Sequence, residues 1–355
     1  MSDDRPRPRG RGARDNVPNQ YERLHVDVEP GALDEEERRS VETTYLRDPA
    51  TSILSENESP DVPFTYSLNP YRGCEHGCVY CYARPTHEYW GLSAGLDFET
   101  TIFVKDEAPR LLSERLQKDS WTPQPVALSG NTDPYQPVER ELEITRSCLE
   151  VFLRHRNPVS IVTKSGLPRR DTDVLSELAE RNLVNVAVSL TSIDDDLAGK
   201  LEPRAARPSL RLRVIEELTD AGVPVSILVA PLIPGLNDEQ IPAILNAAAE
   251  RGAVGASYVL LRLPGPVEDI FVDWVEDHFP DRKTRILGRL RELRDGDLND
   301  TEFGRRMRGR GEWASVFRQL FRTSRARTGL DGGRPSLSTD QFRQLPGGQH
   351  SLFDE

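Results

Sequence analysis

The chain has no long apolar run, little lysine and little cysteine. No segment of about 18 consecutive apolar residues occurs, so the sequence argues against a membrane span and a membrane partner. The N-terminal stretch MSDDRPRPRGRGARDN has no apolar core of the kind that a secretory signal requires. We therefore expect a cytoplasmic protein, in which thiols stay reduced.

Positive charge comes almost entirely from arginine. Only five of the 46 basic residues are lysine, and the net charge is −12. Because an acidic surface disfavours general binding to nucleic acid, such binding needs a local basic patch. Eight arginines and one acid, Glu312, lie between Arg305 and Arg327. This segment indicates either a nucleic-acid contact or the solvated face of a helix, and the sequence leaves both open.

Three of the four cysteines lie within eight positions, in the stretch NPYRGCEHGCVYCYARP at residues 69–85. Cys74, Cys78 and Cys81 form the pattern C-x3-C-x2-C. In a reducing compartment, clustered cysteines indicate a metal site rather than disulfides. Three thiolates can hold three irons of a 4Fe–4S cluster and leave the fourth iron open.

A structural zinc site is the alternative, and it requires a fourth ligand. His76 lies between two of the cysteines, where ligation would strain the loop. Cys148 lies among the apolar positions of ITRSCLEVFLRH, which reads as a helix. We expect Cys148 to be a buried structural thiol.

From Phe64 onward, short β-branched segments alternate with amphipathic segments at about the spacing of a βα unit. The predicted strands are 64–68, 126–130, 159–164, 184–190, 223–230 and 256–263, and the predicted helices lie near 107–118, 141–155, 171–181, 207–221 and 238–251. Near-continuous apolar strands that alternate with helices favour a parallel sheet covered by helices. The fold class is therefore α/β: a partial (β/α)6 barrel, with a doubly wound sheet as the alternative.

The domain organisation follows from the same pattern. We expect a disordered basic tail at 1–20 and a segment at 21–60 that wraps the body. The partial barrel takes residues 61–265, and a helical C-terminal extension follows at 266–325, with helices near 267–277 and 283–294 and a further segment at 301–322. A Gly-, Pro- and Ser-rich flexible tail ends the chain at 326–355.

The cysteine pattern, its place after the first strand and the strand rhythm resemble the radical S-adenosylmethionine (radical SAM) superfamily over roughly residues 60–265. The resemblance implies a 4Fe–4S cluster on Cys74, Cys78 and Cys81, with S-adenosylmethionine chelating the open iron. Such enzymes cleave S-adenosylmethionine reductively to a 5′-deoxyadenosyl radical, with electrons from a reductant such as flavodoxin or ferredoxin.

The resemblance also implies which residues contact S-adenosylmethionine. It places the methionine group near Ser129, Gly130, Asn131, Lys164 and Arg204. It places the ribose near Ser189 and Glu202, and the adenine near Tyr80, Ile233, Gly235 and Leu261. Structural roles are the alternatives. Ser129 and Ser189 are also suited to capping helices, Asp133 to a turn, and Arg204 to a surface ion pair.

The motif C-x-Y-C-Y with SGNTDP after the second strand resembles the branch that contains spore photoproduct lyase, which reverses a thymine-dimer lesion in DNA. By that resemblance Tyr82 matches a tyrosine of the hydrogen-transfer relay and is the predicted catalytic residue. The stretch ALSGNTDP has no cysteine where the lyase has its hydrogen donor, which puts photoproduct reversal in doubt. The segments RGRGA at 9–13, RLPG at 262–265 and FGRRMRG at 303–309 resemble an uncharacterised lyase-like family.

The C-terminal sequence GGQHSLFDE resembles the Q-x-S-L-F peptide by which bacterial repair proteins dock on the sliding clamp, through Gln349 to Phe353; a chance match is the alternative. Three functions stay open. The first is a radical SAM enzyme that acts on DNA or RNA, such as a lesion-reversing lyase. The second is a radical SAM enzyme that modifies a small molecule or protein. The third is a non-catalytic iron–sulfur or zinc module that docks on the clamp.

Overall fold

The structure, a computed structural model, describes residues 8–21 and 42–345. The strands are β1 (Thr44–Arg47), β2 (Leu54–Glu56), β3 (Tyr66–Leu68), β4 (Tyr71–Arg72), β5 (Thr101–Val104), β6 (Val126–Leu128), β7 (Val159–Thr163), β8 (Val184–Ser189), β9 (Val225–Leu232) and β10 (Gly255–Leu260). The helices are α1 (Asp97–Thr100), α2 (Ala108–Leu116), α3 (Glu139–Leu142), α4 (Ile144–His155), α5 (Thr172–Ala179), α6 (Asp195–Leu201), α7 (Pro208–Asp220), α8 (Ile241–Ala249), α9 (Val267–His278), α10 (Lys283–Glu292) and α11 (Gly311–Arg327).

The main sheet has the strand order β10-β9-β8-β7-β6-β3-β2. The six strands β3 and β6–β10 are parallel and follow one another in chain order, and β2 adds to β3 in the antiparallel direction. The predicted partial (β/α)6 barrel is confirmed. The doubly wound alternative is wrong, because such a sheet reverses its strand order part-way and this one does not.

Consecutive strands supply the core of the barrel. Leu128, Ile161, Val186 and Ile227 lie on four neighbouring strands, and each is fully buried. Burial of one such side chain contributes about 1.5–3 kcal/mol. All six positions of β8 are buried, which agrees with a parallel strand covered by helices.

A smaller sheet of order β1-β5-β4 lies beside the barrel. Its strand β4 ends two residues before Cys74, so this sheet fixes the start of the cysteine loop. The expected wrap at 21–60 thus supplies β1 and β2 within the described residues, and residues 22–41 lie outside them.

Residues 8–21 pack against the body, which differs from the disordered tail expected at 1–20. Ala13 is fully buried and Arg11 is 5% exposed. The backbone N–H groups of Gly12 and Ala13 each donate to the Glu99 carboxylate at 2.8 Å. Composition alone predicted disorder, because these contacts are made by the backbone and leave no apolar pattern. Residues 1–7 lie outside the described residues.

The helical extension covers the open side of the barrel. Within the described chain, β10 and β2 are the two edges of the main sheet and do not pair. The loop 301–310 spans this gap: Met307 accepts from the Leu260 N–H at 3.1 Å, and Gly304 donates to Asp61 at 2.6 Å. The extension is therefore built into the barrel wall.

The expected flexible tail at 326–355 also contacts the body as far as residue 345. The Arg343 N–H donates to the His155 carbonyl oxygen at 2.7 Å, and the Phe342 ring stacks on the His155 ring. The predicted clamp peptide, Gln349 to Phe353, lies outside the described residues. Of the helices that the structure describes, none is long and apolar enough to cross a membrane.

Candidate active site

The carboxyl ends of the parallel strands bring the predicted site segments to one end of the barrel, which we call the mouth. The cysteine loop, residues 73–81, follows β4; the loops 129–138, 164–166 and 190–194 follow β6, β7 and β8. Because parallel strands end on the same side, the loops after β6, β7 and β8 meet there, and hydrogen bonds from Thr132 and Gln136 bind the cysteine loop to them.

Short turns shape the cysteine loop. The Gly77 N–H donates to the Cys74 carbonyl oxygen at 3.4 Å, and the Cys81 N–H donates to that of Cys78 at 3.2 Å. Gly73 has φ +79° and would meet the His87 ring and the Phe98 carbonyl oxygen at 2.9 Å if it carried a Cβ. That close approach is why glycine precedes the first cysteine.

The loop after β6 holds the cysteine loop in place. The Thr132 hydroxyl donates to the Gly73 carbonyl oxygen at 2.6 Å. The Gln136 amide accepts from the Glu75 N–H at 3.0 Å and donates to the Gly73 carbonyl oxygen at 3.3 Å. Neither residue was predicted from the sequence. Their position in TDPYQP, directly after a buried strand, was the only signal available.

Asp133 connects three of the mouth segments. It accepts from the Tyr135 N–H at 2.9 Å, as the turn interpretation expects, and also from the Thr163 hydroxyl at 2.8 Å and the Lys164 N–H at 2.7 Å. Its other contact is His76 Nδ1 at 3.4 Å. Burial alone would raise the pKa of Asp133, but His76 and these donors lower it.

His76 is engaged with its neighbours rather than held ready as a metal ligand. Burial alone would lower its pKa, but Cys74 and Asp133 raise it to about 10. Cys148 is fully buried on α4 in the main core, away from the two clusters that contain the other cysteines. The prediction of a structural thiol at Cys148 is confirmed, and neither residue completes a zinc shell.

The three clustered thiols share one environment. Cys74 and Cys78 are each 7% exposed, and Cys81 is half-buried. Burial raises the pKa of Cys78 and of Cys81, and the neighbouring thiols raise both further. In the part of the chain that is described, no three His, Cys, Asp or Glu side chains are arranged to hold a single metal ion. A donor set of three soft thiols on one loop fits an iron–sulfur cluster.

A buried arginine, Arg84, packs against the cysteine loop and donates hydrogen bonds to its backbone. Arg84 donates to the Cys78 carbonyl oxygen at 2.9 Å and to the carbonyl oxygens of Ala94 and Gly95. Its charge is paired with Glu99, and both side chains are fully buried. The sequence analysis missed this pair, because the residues lie fifteen positions apart with no helical periodicity between them.

Glu202 is surrounded by donors from the protein. One carboxylate oxygen accepts from the hydroxyls of Tyr80 and Thr191, and the other pairs with Arg211. Burial would raise the pKa of Glu202, but Arg211 and Lys164 lower it. We expected Glu202 to accept from a ribose hydroxyl, but its carboxylate already accepts hydrogen bonds from the protein. Its partner Arg211 was not predicted from the sequence.

Lys164 lies beside this group. Its ammonium nitrogen is 5.8 Å from the centre of the Tyr80 ring. Burial alone would lower the pKa of Lys164, but Cys78 and Glu202 raise it above its usual value. The predicted contact of Lys164 to a carboxylate or substrate stays a prediction.

The predicted adenine contacts fall partly together. Tyr80, Ile233 and Leu261 pack with Cys78 in a single buried apolar cluster. Gly235, with φ +80°, lies instead against the side chains of Arg285 and Arg289.

The segment after β6 carries an unusual backbone. Ser129 and Gly130 have φ of 152° and 131°. The Ser129 hydroxyl donates to the Thr132 carbonyl oxygen at 3.3 Å, and Asn131 is exposed while its N–H donates to Asn69 at 3.0 Å. The Ser189 hydroxyl donates to the Ala230 carbonyl oxygen at 3.1 Å. Neither serine caps a helix, so the capping alternatives are wrong.

Arg204 lies next to the cysteine loop. It pairs with Glu75 at 3.0 Å, and its N–H donates to the His76 carbonyl oxygen at 3.2 Å. Glu75 is 1% exposed, so this is a half-buried pair rather than the surface pair considered above.

Tyr82 is half-exposed at the mouth. Its side chain is 50% exposed, and its hydroxyl donates to the Gly130 carbonyl oxygen at 2.6 Å. The guanidinium of Arg262 lies 5.5 Å from the centre of its ring. The phenol therefore lies between the cysteine loop and solvent.

The arginine-rich segment divides into two parts. Arg305, Arg306 and Arg310, near the mouth, form ion pairs with Asp300, Asp61 and Asp295. Arg318, Arg322 and Arg327 are exposed on α11, as a solvated helix face would be.

The sequence profile of the Radical SAM superfamily matches residues 68–248, just over half of the chain. The chain belongs to the radical SAM superfamily. Members bind a 4Fe–4S cluster and S-adenosylmethionine, so both predicted cofactors are confirmed.

Sequence relatives and solved structures agree with this membership. An uncharacterised protein of Mycobacterium tuberculosis is 37% identical over 234 residues, 65% of this chain and 68% of the relative. A radical SAM Nα-GlyT isomerase of Pseudomonas phage M6 is 28% identical over 197 residues, 54% of this chain and 38% of the relative. A spore photoproduct lyase mutant with bound S-adenosylmethionine and dinucleoside spore photoproduct superposes with a TM-score of 0.58 and 17% identity, over 87% of this chain and 86% of that one. The last likeness is one of fold, and the predicted resemblance to spore photoproduct lyase is confirmed at that level.

Proposed function

We propose that this radical SAM enzyme acts on DNA or RNA in a lyase-like reaction, such as the reversal of a lesion. When bound, a 4Fe–4S cluster would supply the electron for reductive cleavage of S-adenosylmethionine. Cys74, Cys78 and Cys81 hold the cluster in this proposal, with flavodoxin or ferredoxin as the reductant. A cytoplasmic location remains a prediction.

Several side chains orient S-adenosylmethionine in this proposal. Lys164, a cation near Cys78, contacts its carboxylate. Tyr80, Ile233 and Leu261 form an apolar wall that excludes water from the adenine side. The remaining proposed contacts are Ser129, Gly130, Asn131, Ser189, Glu202, Arg204 and Gly235.

The observation that carries the proposal is the position of Tyr82. Its phenol is half-exposed at the mouth, one residue from a cluster cysteine, and its hydroxyl donates to Gly130 at 2.6 Å. The chain has four cysteines, of which three belong to the cluster motif and Cys148 is fully buried elsewhere. With no spare thiol at the mouth, the Tyr82 O–H is the group suited to return a hydrogen atom to a substrate radical. The phenoxyl radical left on Tyr82 would be restored by one electron from the flavodoxin or ferredoxin and one proton from solvent.

Two further observations support a nucleic-acid substrate. The spore photoproduct lyase that shares this fold was solved with a dinucleoside lesion. In this chain the rim of the mouth carries Arg262 and Arg306, although the molecule as a whole is acidic.

The test is anaerobic reconstitution with iron and sulfide, followed by reduction and addition of S-adenosylmethionine. Wild type should release 5′-deoxyadenosine and Cys78→Ala should not. With ultraviolet-irradiated oligonucleotides, wild type should give a new product, whereas Tyr82→Phe should still cleave S-adenosylmethionine but lose most of that product. If the chain instead binds one equivalent of zinc and does not cleave S-adenosylmethionine, it is not a radical SAM enzyme. The third hypothesis, a non-catalytic module that docks through Gln349–Phe353, would then be favoured.

A second candidate is a radical SAM enzyme that modifies a small molecule or a protein. The phage relative is named as an isomerase, so in that relative radical SAM chemistry serves a reaction class other than a lyase. Consumption of S-adenosylmethionine that increases with an added metabolite or peptide pool, but not with nucleic acid, would select this candidate.

A further inference from the structure

Arg262 has an unsatisfied guanidinium at the mouth. It follows β10, two residues beyond the end of the strand. Its Nε is buried and donates to no residue within 8–21 and 42–345, and the side chain forms no ion pair with any of them. A buried donor without a partner is costly, so native proteins satisfy most of them with a protein group, an ordered water or a ligand. At the mouth of a site, a ligand can supply the acceptor.

The neighbouring acids do not neutralise Arg262. The carboxylate of Asp61 attracts Arg262, but Asp61 already pairs with Arg306 and accepts from the Gly304 N–H. Burial lowers the pKa of Arg262, and the positive charge of Arg306 lowers it further. Two guanidiniums next to each other with one carboxylate between them leave an excess of positive charge.

Two exposed aromatic rings flank this pair of arginines. Arg262 lies 5.5 Å from the centre of the Tyr82 ring, and Arg306 lies 4.5 Å from the centre of the Phe303 ring. Tyr82 is 50% exposed and Phe303 is 53% exposed. The row Tyr82–Arg262–Arg306–Phe303 therefore alternates between apolar faces and positive charge along the mouth; we call it the rim row.

We propose that the rim row binds a single strand of nucleic acid, with Arg262 on a phosphodiester and Tyr82 and Phe303 stacked against bases. This inference rests on the proposed function and deepens it, because it names the group of the substrate that is bound and the residue that binds it. A guanidinium fork binds two phosphate oxygens at once, which supplies the acceptors that Arg262 lacks.

The exposed rings favour nucleic acid over an acidic peptide. Stacking of a base on an aromatic side chain does not depend on sequence, because every base has a π face, whereas a carboxylate side chain gains nothing from Phe303. Duplex DNA hides those faces. The site therefore selects single strands or bases turned out of the helix, and it presents the bound base to Tyr82.

The experiment is binding of a fluorescent single-stranded oligonucleotide to the reconstituted full chain over a range of salt concentrations. Arg262→Ala should weaken binding on the order of tenfold and reduce the salt slope by about 0.7 to 1, the loss expected for one phosphate contact. Arg262→Lys should recover part of the affinity, because lysine still binds phosphate as a point charge. Phe303→Ala should weaken binding about tenfold without changing the salt slope.

Arg213→Ala is the matched control, because Arg213 is an exposed arginine on α7, a helix that covers the barrel. It removes the same charge and should leave binding unchanged. Phe303 is exposed, so its variant keeps the test decisive even if Arg262→Ala does not fold.

The outcomes separate this inference from the proposed function. If wild type binds but Arg262→Ala and Phe303→Ala bind equally well with the same salt slope, the rim row is wrong and a nucleic-acid substrate stands. If wild type cleaves S-adenosylmethionine yet binds no oligonucleotide, the nucleic-acid substrate fails and the rim row with it. Preferred binding of an oligoglutamate peptide that needs Arg262 would overturn the inference in favour of a protein substrate.

Discussion

A Cβ atom on Gly12 would lie 1.8 Å from the carbonyl oxygen of Gly77. The N-terminal segment therefore lies directly on the cysteine loop, and only glycine fits between them. Glu99 holds the same segment in place, because its carboxylate accepts from the N–H groups of Gly12 and Ala13 and pairs with Arg84. Residues distant in sequence thus fix the loop that carries the cluster.

We expect Gly12→Val to reduce cluster binding strongly, because the added side chain must displace either the N-terminal segment or Gly77. The measurement is iron and sulfide per chain after anaerobic reconstitution, together with the visible absorption of the cluster. Gly288→Ala is the control, since Gly288 lies in α10 with nothing within 4 Å of a new Cβ. Full iron content in Gly12→Val would show that the contact is dispensable.

The buried pair of Glu202 and Arg211 should be essential for stability. Arg211→Met leaves the buried carboxylate of Glu202 with the hydroxyls of Tyr80 and Thr191 and the nearby charge of Lys164, which we expect to lower the free energy of unfolding by at most about 3–5 kcal/mol. Denaturant unfolding measures it. Asp196→Asn, which breaks an exposed pair with Lys200, should change little. If Arg211→Met matched that control, the pair would not be a buried one in solution.

Removal of the Arg211 charge also allows a second comparison. The double variant Arg211→Met with Glu202→Gln should be more stable than Arg211→Met alone, because it no longer buries an unpaired charge. Equal stability of the two would mean that the loss comes from packing.

Lys105 should give stability a specific pH dependence. It is 7% exposed, donates to the Asn69 carbonyl oxygen at 3.0 Å, and burial lowers its pKa from 10.5 to about 8. Between pH 8 and 10.5 the unfolded chain holds this proton and the folded chain does not. The unfolded state then binds more protons, so this residue makes the free energy of unfolding rise with pH, by at most about 3 kcal/mol.

The check is denaturant unfolding of wild type and Lys105→Met at several pH values. Below pH 8 the difference between the two should be constant, and above it wild type should gain relative to the variant. Because tyrosine ionisation affects both proteins equally, it cancels in the difference. Parallel curves would mean that Lys105 keeps its ordinary pKa.

Cys148 should be replaceable without loss of the cluster. Cys148→Ala should bind as much iron as wild type and lose about 1–2 kcal/mol of stability, because it leaves a small cavity in the core. Cys78→Ala, assayed beside it, should lose the cluster. Reduced iron in Cys148→Ala would make this thiol a ligand and contradict its burial on α4.

The repeating strands of the barrel could be predicted from the sequence. The strands β3 and β6–β10 have apolar, β-branched sequences at the spacing of a βα unit, and all six occur close to their predicted places. The short strands β1, β2, β4 and β5 were not predicted. Segments such as LSE show no alternation of apolar and polar residues, and they form strands only through tertiary contacts.

The site was predicted unevenly for a similar reason. The three cysteines have a recognisable spacing, whereas nothing in the sequence points from Glu202 to Arg211, with which it forms a buried ion pair. The packing of residues 8–13 was invisible, because backbone N–H groups do the binding and composition alone indicated disorder. Arg262 was visible as part of RLPG, but its lack of a hydrogen-bond partner among the described residues can be seen only in the structure.

Residues 338–345 lie at the end of the barrel opposite the mouth. This stretch runs over the loops before the strands: Ser338 donates to Asn182, ahead of β8, and Arg343 donates to His155, ahead of β7. Gln344 donates to the Gln117 carbonyl oxygen at 2.9 Å, in the segment ahead of β6. The last described residues therefore lie across the end of the barrel where the strands begin, and the mouth at the opposite end is left uncovered by them.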